Sequence, residues 1–195
     1  MDLNLILVCV VIVVALFFSY TNGFHDAANA IATSVSTRAW TPRAALLMAA
    51  TMNVIGAMMG TGVAKTVGSG IIKISGYAES TSPDMQQKGL VIILAALLGA
   101  CIWNLITWWF GLPSSSSHAL IGGMVGAGLL SGTKVFWEGI VSHVIIPMFA
   151  SPIIGFVIGY IAMKIVLWAL RKAQYHRTMR RFRAAQRFSS AAMAL

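Results

Sequence analysis

Charge is scarce in this sequence. Lys, Arg, Asp and Glu make up 10% of the 195 residues, against about 25% in soluble globular chains. Only five residues are acidic. With 58% hydrophobic residues and a mean hydropathy of +0.81, the chain has too little polar surface to cover itself in water, which excludes the soluble enzyme classes. Cysteine is as sparse: Cys9 and Cys101 both sit inside apolar runs, where a small sulfur side chain packs and a structural disulfide has little reason to form. The opening Met-Asp-Leu-Asn lacks the basic start of a secretory signal, and no small-residue cleavage site closes the run behind it. Residues 3–20 therefore read as a retained membrane helix.

What the chain has in abundance is uninterrupted apolar sequence. At about 20 residues per span, candidate segments fall at residues 3–20, 44–63, 90–110, 118–130 and 139–170. The expectation is an all-α integral membrane protein with about five transmembrane segments and discontinuous helices. The fourth segment is too short to cross alone unless residues 113–117 lie within the membrane, and the fifth is long enough to tilt or to break at Pro147 and Pro152. Small residues over 56–60 and 122–128 suit close helix packing, and no function attaches to them.

Half of the 14 Lys and Arg fall between Arg171 and Arg187, directly behind an apolar stretch and with no acid among them. This is a topology signal rather than a nucleic-acid arm. It places the chain in the cell membrane with its C-terminus in the cytoplasm, and five crossings put Arg38 and Arg43 on that same inner side. Anionic membrane lipid is the second role such a segment serves. The chain divides into a membrane domain over 1–170, a basic cytoplasmic segment over 171–187, and the start of a further, truncated apolar segment over 188–195.

Two polar clusters interrupt the apolar background. The first, Asn22-Gly23-Phe24-His25-Asp26-Ala27-Ala28-Asn29-Ala30, puts a carboxylate where burial is expensive, and ionisable groups at membrane depth face a protein interior or a water-filled path. On a helix, His25, Asp26 and Asn29 share one side, and Asn22-Gly23 is a natural place for that helix to unwind. Asp26 suits a cation, shared with the Asn29 amide oxygen, or a proton that His25 relays. The second cluster, Phe110-Gly111-Leu112-Pro113-Ser114-Ser115-Ser116-Ser117-His118-Ala119, breaks one helix and starts another. Free N–H groups at a helix start, with serine hydroxyls beside them, suit an oxyanion such as phosphate or sulfate. An anion near Asp26 is repelled unless a cation or proton enters with it, and coupled entry resolves the conflict.

These two segments are similar to the signatures of the inorganic phosphate transporter (PiT) family: residues 22–30 resemble G-A-N-D-x-A-N-A, and residues 111–119 resemble G-L-P-x-S-[ST]-[ST]-H-A. The resemblance implies a symporter built from two inverted repeats that hold phosphate and coupling ions between them. By that resemblance Ser115, Ser116, Ser117 and Asn29 bind substrate, while Asp26, Asn29 and His25 handle the coupling cation or proton. Phe24-His25 replaces the common Ala-Asn, which resembles bacterial members that couple to protons and take phosphate as a neutral complex with a divalent metal. A proton is therefore expected ahead of sodium, in a bacterial plasma membrane, with no further cofactor. The second signature is absent, so the chain reads as the N-terminal half of a transporter that pairs with a second half or with itself.

A sulfate permease of the same architecture and a non-transporting membrane subunit are the alternatives. An intramembrane hydrolase, with Ser69 or a serine of 114–117 as nucleophile and His25, His118 or His143 as base, is not expected: no G-x-S-x-G elbow surrounds the serine cluster, and adjacent helical residues point apart.

Overall fold

The computed structural model describes residues 3–59, 71–72, 75–78, 80, 82–171 and 175–194, with the backbone alone for 75, 78, 175–178, 180 and 181. Ser69 lies outside the described residues. The described residues form no strand beyond a single antiparallel bridge between Ile72 and Val135. Helices run over Leu3–Ser36 (α1), Pro42–Met59 (α2), Ser75–Ala78 (α3), Pro83–Trp109 (α4), Ser116–Leu130 (α5) and Trp137–Ile140 (α6). A π-helical stretch, Val141–Ile145, leads into Ile146–Ala169 (α7), and Tyr175–Met193 (α8) follows. Four stretches are long and apolar enough to cross a membrane: Leu3–Ser36, Pro42–Met59, Pro83–Trp109 and Trp137–Ala169. The fourth segment of the sequence reading becomes α5. At about 1.5 Å per residue its 15 residues cover roughly 22 Å, short of the roughly 30 Å of a hydrocarbon core.

Two features depart from the sequence expectation. α1 is one unbroken helix of 34 residues, with no unwinding at Asn22-Gly23. A single helical glycine costs only about 1 kcal/mol, and the turn around it is held from outside, because Asn104 Nδ2 donates to Thr21 Oγ1 at 3.4 Å. In the last long segment neither proline breaks the helix. The irregularity sits just ahead of Pro147 as the π turn, while Pro152 lies inside continuous α7. A wider turn re-pairs backbone groups that proline leaves without a donor, and membrane helices tolerate proline by such adjustments.

The chain forms two compact units, Met1–Asp26 with Thr61–Ile140, and Ala27–Gly60 with Val141–Leu195. In the first, α4 and α5 pack closely. A Cβ on Gly123 would collide with the Ala96 carbonyl oxygen, and Gly99 faces the Gly123 Cα, so glycine permits the approach. Ile72 and Val135 close over Gly128.

In the second unit, Ile31, Ala45, Ala49 and Ala194 form a small core against which Val35, Trp40, Met48 and Met52 pack. The second half of α8 is clasped onto the turn between α1 and α2. The Ser34 and Ser190 hydroxyls pair in the interior, Thr37 Oγ1 donates to Gln186 Oε1 at 2.9 Å, and Arg187 Nε donates to the Ala39 carbonyl at 2.7 Å. The Arg187 guanidinium also lies 5.5 Å over the Trp40 ring, a cation–π contact.

Candidate functional site

The site is built where α4 ends and α5 begins. Gly111 takes a left-handed φ of +63°, and its N–H and that of Leu112 bond back to Trp108 O at 3.0 Å and Thr107 O at 2.8 Å, which closes α4 with a glycine cap. Pro113 forbids a helical continuation at the residue before it. Ser115, extended at φ −100° and ψ 115°, then caps α5 by accepting from the His118 N–H at 3.4 Å. The same hydroxyl pairs with His118 Nδ1 at 2.7 Å.

Ser116, the first residue of α5, is buried and faces α1. Its Oγ donates to Asn22 Oδ1 and reaches Asp26 Oδ2 at 3.3 Å. One hydroxyl has one hydrogen, so it serves these two acceptors in turn. His25 goes to a different partner: its Nε2 donates to the Asn104 carbonyl at 2.8 Å. Its ring stacks on Phe24 with centroids 5.5 Å apart, and Phe24 in turn meets Trp108 edge-on at 5.5 Å. Asn104 is 1% exposed in the middle of an apolar helix, and Thr107 Oγ1 donates to its carbonyl at 3.1 Å.

The six sequence-predicted residues are thus divided. Asp26 and Ser116 are brought together, and Asn22 of the first motif accepts from the same Ser116 hydroxyl. His25 is tied to α4. Ser115 turns to the other side of α5, where it lines an open cavity of about 540 Å³ with Trp103, Pro113, Ser114, His118 and Gly122. Ser117 is exposed, and Asn29 is an exposed residue of the second unit. Among the described residues no group of three or more His, Cys, Asp and Glu gathers to hold a metal.

Asn22, Asn104 and His118 were not selected from the sequence as site residues. Asn104 and Thr107 carry a signal of their own, two polar residues one turn apart in the apolar run of 90–110. Asn22 looked like a helix breaker, and its part in the cluster depends on a partner 94 positions away in sequence.

These features define a multi-pass, all-α membrane protein with an internal polar cluster. The chain belongs to the phosphate transporter family, whose profile matches residues 22–194. It is 56% identical to a probable low-affinity inorganic phosphate transporter of Streptomyces halstedii, over 99% of this chain and 86% of that one. Similarity to a protein of the same description from Bacillus subtilis is 45%, over 95% of this chain and 54% of the relative. A solved structure described as the sodium-dependent phosphate transporter superposes with a TM-score of 0.74 at 28% identity, covering 83% of this chain and 39% of that one. The chain therefore spans about half the length, or less, of several relatives it matches.

Proposed function

We infer that the chain supplies half of a secondary transporter that imports inorganic phosphate by cation symport, coupled to protons. The observation that carries this reading is the Ser116 hydroxyl, which joins the two polar motifs by reaching both Asn22 and Asp26. An oxyanion approaching the start of α5 meets hydroxyls and free N–H groups, but also the Asp26 carboxylate. Two like charges about 4 Å apart repel by roughly 4 kcal/mol at an effective dielectric near 20, close to three decades in affinity. A proton or cation on Asp26 removes that penalty, so substrate and coupling ion bind better together than alone. Phosphate entering as a neutral complex with a divalent metal lowers the same barrier from the substrate side. His25, one position before Asp26, serves as the proton relay, and Asn29 joins the site on the strength of the motif. Ser115 and Ser117 add hydroxyls around the first turn of α5. The setting is a bacterial plasma membrane with the C-terminus in the cytoplasm, and the partner is a second transporter half or another copy of this chain.

Radiolabelled phosphate uptake into proteoliposomes under an imposed pH gradient tests this. Asp26→Asn is expected to insert normally and to lose at least about tenfold in uptake, with excess sulfate leaving uptake unchanged. Unchanged uptake in Asp26→Asn removes the coupling role, and sulfate competition favours a sulfate permease. Loss of assembly without any change in flux marks a non-transporting subunit. A second reading, sodium coupling, draws on the name of the solved relative; replacing the pH gradient with a sodium gradient separates the two.

A further inference from the structure

The second unit contains ten of the 14 Lys and Arg and none of the acidic residues. Its cations have no Asp or Glu side chain within the unit to pair with. Three observations fix where they lie. α8 begins six residues after α7, which ends a membrane-length stretch, so its start is within about 20 Å of the end of that stretch even on an extended link. The second half of α8 is clasped to the turn between α1 and α2, and a turn between two candidate spans lies outside the hydrocarbon. The exposed Arg38 and Arg43 flank that turn. The start of α8 and its 186–190 stretch are thereby held near the level of the membrane surface.

The described side chains of the first half of α8 are exposed. Met179 and Phe182 are 43% and 38% exposed and stand three positions apart, on one side of the helix. Arg183, also exposed, is next in sequence. Apolar side chains beside a cation, on a helix too polar to span and in a unit without Asp or Glu, are the chemistry of an interfacial helix, which lies in the headgroup layer with its apolar residues at the acyl boundary.

We propose that the 175–183 half of α8 is a membrane-surface docking element that binds anionic lipid headgroups, with Met179 and Phe182 inserted and Arg183 on the phosphates. The proposal is independent of the transport reading.

The test uses the full chain in nanodiscs. A bimane label on Phe182→Cys, in a Cys9→Ser, Cys101→Ala background, reports contact with brominated acyl chains. Quenching is expected in discs containing phosphatidylglycerol and to be weak in pure phosphatidylcholine. It should fall when ionic strength is raised to about 1 M, where the screening length is about 3 Å. Arg183→Gln is expected to weaken the dependence on phosphatidylglycerol about fivefold, while Lys88→Gln, an exposed cation of the first unit, leaves it unchanged. Equal quenching in both lipids, no quenching in either, or an equal effect of Lys88→Gln overturns the proposal. So does displacement of the label by millimolar inorganic phosphate or by an oligonucleotide, which assigns the surface to a free anion or a nucleic acid.

Discussion

Single residues decide how three of the helices stop. α1, α4 and α5 end with the same pair of backbone bonds: Ala39 to Ser34 with Arg38 to Val35, Leu112 to Thr107 with Gly111 to Trp108, and Thr133 to Gly128 with Gly132 to Leu129. Each motif needs a left-handed residue, supplied by Gly111 at φ +63°, Gly132 at +69° and, on α1, Arg38 at +57°. A side chain there costs up to about 1 kcal/mol relative to glycine. Arg38→Gly is therefore expected to stabilise the detergent-solubilised protein by about that amount, and Gly111→Ala to destabilise it similarly, both read as shifts of the thermal midpoint. At the candidate site, Ser116→Ala removes the donor shared by Asn22 and Asp26. Phosphate uptake is expected to fall several-fold, with correct insertion checked by protease protection. Asn104→Leu removes the amide that donates to the Thr21 hydroxyl and keeps the backbone carbonyl that accepts from His25, for an expected loss of about 1 kcal/mol read by thermal denaturation. Asp26 and the serines were legible in the sequence because their chemistry is anomalous in an apolar run. Which serine meets Asp26 was not, because consecutive residues at a helix start point in different directions, and only the packing of α5 on α1 selects Ser116.

At the level of elements, the contact that matters most to the first unit is the crossing of α4 and α5. Gly123 has no room for a Cβ beneath Ala96, whereas Gly126 meets nothing within 4 Å. Gly123→Val is expected to cost about 1–3 kcal/mol or to prevent the hairpin from packing, while Gly126→Ala is expected to be neutral or slightly stabilising; thermal denaturation of the two variants side by side distinguishes them. The small-residue run at 122–128 announced close packing but not which glycine carries it, since that depends on the register of two helices. Helix positions were readable from apolar length, and the shortness of α5 was readable too. The continuity of α1 through Asn22-Gly23 was not, because one weak local signal for a break is outweighed by the tie from Thr21 to α4. The π turn escaped for a related reason: proline states that a backbone bond is missing, not where the helix will absorb the loss.

For the whole molecule, the most apolar windows of Leu3–Ser36 and Trp137–Ala169 have none of their residues buried, against 39% for Pro83–Trp109. Exposed apolar surface on this scale seeks lipid or protein. Reconstituted alone, the chain is expected to show little uptake unless it self-associates, and co-reconstitution with a segment carrying the second signature is expected to restore it; crosslinking and uptake on the same sample report both. The pair of polar motifs was readable in the sequence, while the division into two units was not, because α1 contributes to both. The segregation of charge has one more consequence, in electrical terms. Moving an elementary charge across a membrane held at 100 mV takes about 2.3 kcal/mol. Arg38, Arg43 and the seven cations of 171–187 are nine charges, roughly 20 kcal/mol of work against an inside-negative potential. In the proposed orientation, with these residues on the negative side, the potential itself acts as a ratchet on topology, and an energised cell holds that orientation more firmly than a depolarised vesicle does.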